Sequence, residues 1–288
     1  MSPVRLGLRL ALLSVVVLLL GAVSLRDPTG YVADPPVAAS PVPAPGSASP
    51  ATPPGTASPS VAGPTPSARL GTLHAVGLGD SVMSGTNCGC DGIMAEYARE
   101  LAHSTGRRVS AQNFGVGGHT TQDVLNDLSD DDDLRSALAQ ADVVVVIIGA
   151  NDLQDDLDQW QDGGCPVSCY LPDVAAMGQR LTKLLAGLSE ITGGHAELLV
   201  TNYWNVFTDG RVALASGAQE LRFHIAVTQA ANREIAARAA ASGARLVDLV
   251  APFKGSDDGD PTPLLASDGD HPNAAGVRTI AAALVAAT

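Results

Sequence analysis

From residue 71 onward the chain alternates short apolar runs with longer stretches of helical period. Residues 143–148, Val-Val-Val-Val-Ile-Ile, are uncharged and almost purely β-branched, which predicts a strand buried on both faces. Shorter runs predict strands over 73–78, 108–113, 197–201 and 245–249. Between them, apolar residues spaced three and four apart predict helices over 93–103, 120–128, 172–190, 221–242 and 273–287. Pro172 and Pro272 suit helix starts, and Gly243 suits a helix end. Regular alternation of strand and helix predicts an α/β fold. It should be a flavodoxin-like three-layer sandwich: a five-stranded parallel sheet of order 2-1-3-4-5, numbered along the chain, with helices on both faces. In that order the first strand lies between the second and third. Loops leaving those three strands then converge at the carboxyl edge, where the strand order reverses and ligands bind in open sheets.

The first 70 residues carry a different pattern. Arg5 and Arg9 precede an uncharged apolar stretch over 10–25, so residues 1–25 read as a signal peptide or a signal anchor. Ala22-Val23-Ser24 offers small residues for cleavage after Ser24. Residues 26–70 read as a disordered linker, and the part rich in Pro, Ala, Ser, Thr and Gly, residues 34–67, reaches on the order of 100 Å when extended. Residues 71–288 form one domain of a size that builds a substantial core. The protein is expected to be secreted or tethered to the outer face of the cytoplasmic membrane by a single N-terminal anchor, and to be monomeric.

Charge narrows the partners. Seventeen Lys and Arg against 30 Asp and Glu give a formal charge of -13, which repels phosphate backbones and argues against nucleic acid. The acidic run at 130–133 lacks the spaced ligands of a calcium loop and reads as a solvated turn. Cys88, Cys90, Cys165 and Cys169 lack zinc-site spacing, and an even count in an exported chain points to disulfides. A Cys88–Cys90 pair closes a strained ring across one residue. Two bridges joining the loop after Ser81 to the loop after Asn151 are therefore expected.

Chemistry enters at the strand ends. Gly79-Asp80-Ser81 closes the first strand, and Asp268-Gly269-Asp270-His271-Pro272 precedes the last helix. A serine hydroxyl needs a base to take its proton and a third group to hold that base. His271 and Asp268, three residues apart, suit those roles. Asp270 competes, but an adjacent residue points away from its neighbour. Between the ends lie Asn113-x-Gly115-x-Gly117-Gly118-x-Thr120-Thr121 and Gly149-Ala150-Asn151-Asp152. In order and approximate spacing these four blocks resemble the GDSL, or SGNH, family of serine hydrolases, with Gly117 standing where the family has serine.

The resemblance implies Ser81 as nucleophile, His271 as general base and Asp268 as its orienting carboxylate. It also implies an oxyanion hole from the Ser81 and Gly118 N–H groups and the Asn151 side chain, with no metal or organic cofactor. Asp80 and Asp152 read as loop braces. His119 is the one other histidine within reach of the site; His74, His103, His195 and His224 read as surface or packing residues. Tyr203, Trp204, Phe207 and Trp160 are candidates to line an acyl or sugar pocket. The implied activity is hydrolysis of a small-molecule or polymer-borne acyl ester through an acyl-serine. An O-acyltransferase of cell-surface sugars and a non-catalytic wall-binding module remain alternatives.

Overall fold

The computed structural model describes residues 29–36, 71–165, 168–255 and 259–288. Its strands are β1 (Thr29–Ala33), β2 (Leu73–Gly79), β3 (Val109–Gly115), β4 (Val143–Ile147), β5 (Glu197–Thr201) and β6 (Arg245–Val247), ordered β1-β3-β2-β4-β5-β6. The last five are parallel and follow the predicted 2-1-3-4-5 order. The helices among the described residues are α1 (Ser81–Ser84), α2 (Ile93–Thr105), α3 (Thr121–Asp130), α4 (Asp132–Leu138), α5 (Gln154–Gln161), α6 (Leu171–Ile191), α7 (Gly210–Ser216), α8 (Ala218–Ser242), α9 (Val250–Lys254) and α10 (Ala274–Ala287).

Helices α2 and α10 pack together on one face, and α3, α6 and α8 pack in a row on the other. Every residue of β4 is buried, as a central strand covered on both sides must be. Leu181, Leu184, Leu185 and Leu188 recur at helical spacing along α6 and are fully buried; each such leucine contributes about 1.5–3 kcal/mol by leaving water. The acidic run has a local use. Asp131 caps α4, its carboxylate accepting from the Leu134 N–H at 2.9 Å, and Asp132 and Asp133 occupy the favourable first turn.

Two expectations need correction. The sheet has six strands, because β1 comes from the segment read as linker and pairs antiparallel with β3. Its ladder occupies an edge that would otherwise be open, and the Tyr31 hydroxyl donates to the Asp91 carbonyl at 2.7 Å. The cysteines pair within each loop, Cys88 with Cys90 and Cys165 with Cys169, rather than between loops. The intervening Gly89 takes a left-handed φ of 62°, which folds the chain back and brings the Cys88 and Cys90 Cα atoms to 5.3 Å. The ring-strain objection overlooked that freedom. Among the described residues no helix is long and apolar enough to cross a membrane. The apolar stretch over 10–25 lies outside them.

Candidate active site

Strand β2 ends against β4 so closely that a Cβ on Gly79 would sit 1.8 Å from the Ile147 carbonyl oxygen, and its φ is 149°. Only glycine passes there, and the chain turns at once into α1. Asp80 caps that helix, its carboxylate accepting from the Val82 N–H at 2.9 Å. Ser81 is therefore the first helical residue, and its N–H has no intrahelical acceptor. Asn113 in β3 braces the turn by donating from its amide to the Met83 carbonyl at 2.9 Å.

The loops after β3 and β4 meet Ser81 from the side. A Cβ on Gly117 would lie 3.9 Å from the Ser81 Cβ. Gly118 has a φ of 82°, and the space a side chain would fill there is open, so backbone conformation rather than crowding by protein atoms accounts for the glycine. Asn151 donates one amide N–H to the His119 carbonyl at 2.9 Å, which fixes the side chain and leaves its second N–H to point elsewhere. The His119 ring instead lies 3.4 Å from the Asp127 carboxylate. Asp152 accepts from the Thr121 N–H at 2.8 Å and from Arg180 at 2.6 Å, tying the β4 loop to α3 and α6 as a brace.

The chain before α10 supplies the remaining groups. Asp268 accepts at one oxygen from the backbone N–H groups of Asp270 (3.0 Å) and His271 (3.1 Å). Its other oxygen is 2.8 Å from His271 Nδ1, against 3.8 Å for Asp270. Asp268 thus holds the ring. Nε2 of His271 is buried with no hydrogen-bond partner among the described residues, so no hydrogen bond joins it to Ser81 in the substrate-free chain. The residue before His271, Asp270, reaches the corner that holds Ser81. Ser81 and Asp270 both line a cavity of about 230 Å³, together with Asn151, Leu157, Tyr203 and Phe207.

The GDSL-like lipase/acylhydrolase family model matches residues 78–279 of this chain. The chain belongs to that family. A search of curated protein sequences finds no significant match. Among solved structures, a lipase from a goat rumen metagenome is similar at a TM-score of 0.62 and 22% identity, over 75% of this chain and 97% of that one. Phospholipase A1 from Streptomyces albidoflavus is similar at 0.53 and 21%, over 76% and 99%. A variant of the acetyl xylan esterase from Geobacillus stearothermophilus is similar at 0.54 and 18%, over 76% and 95%. These likenesses show the fold, and the family assigns the chemistry to an ester-hydrolysing serine hydrolase.

Within this GDSL-type hydrolase, Asn87, which sequence reasoning passed over, and Tyr203, expected there only as a pocket-lining residue, complete the corner. Asn87, held at a φ of 58°, donates to the Asp268 oxygen that also holds His271, at 2.5 Å. Tyr203, fully buried, donates to Asp80 at 2.5 Å. An Asn before a Cys-Gly turn and a Tyr just past a strand were the available signals, and neither points to a partner. Burial works to raise the Asp268 pKa, but hydrogen bonds from Asp270, Asn87 and His271 outweigh it and hold the carboxyl down at about 2. Asp80 goes the other way. Its burial outweighs the hydrogen bonds from Tyr203 and Val82 and lifts it to about 6. Burial, then the Asp80 charge, push the Tyr203 hydroxyl well above 10, so it stays a donor.

The aromatic expectation divides. Tyr203 and Phe207 line the cavity. Trp204 stacks on Phe253 with ring centres 4.0 Å apart, inside the core. Trp160 stacks on Phe223 at 5.2 Å, in a separate cleft.

Proposed function

We propose that this protein is an exported serine esterase that cleaves carboxylic esters through an acyl-serine, with Ser81, His271 and Asp268 as its triad. The observation that carries the reading is the His271 ring. One nitrogen is held by Asp268 at 2.8 Å, and the other is buried with no hydrogen-bond partner among the described residues, next in sequence to Asp270, which lines the cavity of Ser81. A base left with an unsatisfied nitrogen is poised to accept a proton, and apo catalytic bonds often close only around substrate.

The Ser81 oxygen attacks the ester carbonyl carbon while its proton passes to His271 Nε2. The negative tetrahedral oxygen is received by the Ser81 and Gly118 N–H groups and the Asn151 amide, each donor supporting the barrier by about 3 kcal/mol. Collapse breaks the bond to the alkoxide, which leaves with the proton from His271. Water then repeats the sequence on the acyl-serine and releases the acid. Asp268, ionised down to about pH 2, favours the imidazolium throughout.

Export is supported by the charged start, by the apolar stretch over 10–25, and by cysteines paired within loops. Labelling with a fluorophosphonate probe, with peptide mapping of the adduct, tests the site. Ser81 should carry the label, and Ser81→Ala should abolish both labelling and hydrolysis of p-nitrophenyl acetate while the melting temperature holds. Label on another serine, or hydrolysis surviving in Ser81→Ala, would overturn the assignment.

A further inference from the structure

Strand β1 runs against the other five, and its direction decides where the N-terminal chain leaves the domain. Thr29 pairs with Asn113, near the carboxyl end of β3, whereas Ala33 pairs with Val109 at the opposite edge. The carboxyl edge carries Ser81, Gly118 and Asn151. The chain before Thr29 therefore departs from the catalytic edge. The apolar stretch ends at residue 25, and four steps of chain from there to Thr29 span no more than about 14 Å.

The Pro-rich segment is placed differently. Ala33 pairs with Val109 on one side, and Leu73 pairs with Val109 on the other. The two ends of the intervening chain are thus about two strand spacings, or roughly 10 Å, apart. Both are stitched to the sheet at the edge opposite Ser81. Because Ala33 and Leu73 are both paired into the sheet, the contour length between them does not enter the distance from residue 25 to the catalytic edge.

The same edge carries exposed apolar side chains. Among the described residues four large hydrophobic side chains are exposed. Val32 and Leu246 belong to the two outer strands. The other two, Leu171 (49% exposed) and Leu214 (61%), lie on the connections that leave the carboxyl ends of β4 and β5. The cleft of Trp160 and Phe223 lies between those same connections, with Arg222 also lining it.

We propose that residues 10–25 stay in the bilayer, that the catalytic edge rests on the lipid surface through Leu171, Leu214 and the Trp160 cleft, and that the esters hydrolysed are those the bilayer presents. The proposal rests on the esterase reading above. Contact is apolar rather than electrostatic, because a chain of net charge -13 gains nothing from anionic headgroups.

The test uses the full chain reconstituted in phosphatidylcholine vesicles containing a fluorogenic diacylglycerol ester, with soluble p-nitrophenyl acetate as the second substrate. A Gly/Ser insert of about twenty residues between Arg26 and Asp27 lengthens the tether, and should lower the vesicle-ester rate on the order of tenfold as effective concentration falls. The same insert between Pro53 and Pro54 should leave that rate within about twofold. Leu171→Ser with Leu214→Ser should lower only the vesicle-ester rate. Equal effects of the two inserts, or vesicle hydrolysis unchanged in the double-serine variant, overturn the proposal. A membrane-free protein beginning at Leu25 does so too. Failure of the parent chain on soluble ester as well would sink the esterase reading itself, a result distinct from the others.

Discussion

Replacing Asp80 with Asn should make the protein more stable at neutral pH and less stable relative to that gain in acid. Asp80 is 1% exposed, and burial lifts its pKa from 3.8 to about 6 despite hydrogen bonds from Tyr203 and Val82. A carboxyl group with a raised folded pKa binds its proton more tightly when folded. Stability therefore falls as pH climbs from about 4 through about 6, and remains lower above. A shift of about two units corresponds to about 3 kcal/mol of cost in the charged form. Asn carries no charge, still caps Val82, and still meets the Tyr203 hydroxyl. At pH 8, Asp80→Asn should raise stability by up to about 3 kcal/mol, or a melting temperature higher by roughly 6–12 °C for a domain of this size. At pH 4 the advantage should nearly vanish. The ionised Asp80 carboxylate also lies within electrostatic reach of His271, and its charge complements the positive charge that builds on the ring in the transition state. The stabilised variant should then lose several-fold in kcat/KM on p-nitrophenyl acetate, a trade of activity against stability. Calorimetry at both pH values checks the reasoning. An equal shift at pH 4 and pH 8, or a loss of stability at pH 8, would refute it.

Four further outcomes can be measured directly. Asn151→Ala should lower kcat by about 10²–10³ with KM little changed, because it removes a donor that matters most to the transition state. Asn87→Ala removes a hydrogen bond that helps hold Asp268 near 2, so the acid limb of the activity profile and of unfolding should move upward in pH. The stability that Asp268 contributes is present above about pH 4 and is lost as pH falls through about 2, so the shift should appear in that window. A chain beginning at Thr29 should fold and hydrolyse soluble esters, whereas one beginning at Gly71 should melt lower and self-associate, since it bares the edge of β3. Non-reducing peptide mapping should find Cys88 bonded to Cys90 and Cys165 to Cys169.

What the sequence disclosed follows from how local each signal is. The buried run of β4 and the leucines of α6 announce themselves through periodicity, because each element buries its own residues wherever its neighbours lie. Gly79, Ser81, Asn151 and the Asp268–His271 pair were legible because their spacing is tied to strand ends or to one turn of chain. Asn87 and Tyr203 were not. Each acts on a partner more than a hundred residues away, Asp268 and Asp80 respectively, through a single hydrogen bond that no spacing encodes. The cysteine pairing failed for a related reason. Spacing gives the size of a ring, but whether it closes depended on a left-handed Gly89 between the two thiols.

The first strand shows the same principle with larger consequences. Thr29-Gly-Tyr-Val-Ala has no apolar alternation, and Pro28 and Pro35-Pro36 flank it, so composition assigns it to the linker. An antiparallel edge strand needs no buried face. Its stability comes from backbone groups meeting the open side of β3 and from one tyrosine reaching Asp91, both of which exist only once the sheet is built. Composition read the whole stretch from residue 26 as a spacer whose length sets reach. Pairing instead fixes Thr29–Ala33 to the edge of the sheet. The direction of five paired residues, invisible to pattern, is therefore what places Thr29 beside the carboxyl end of β3.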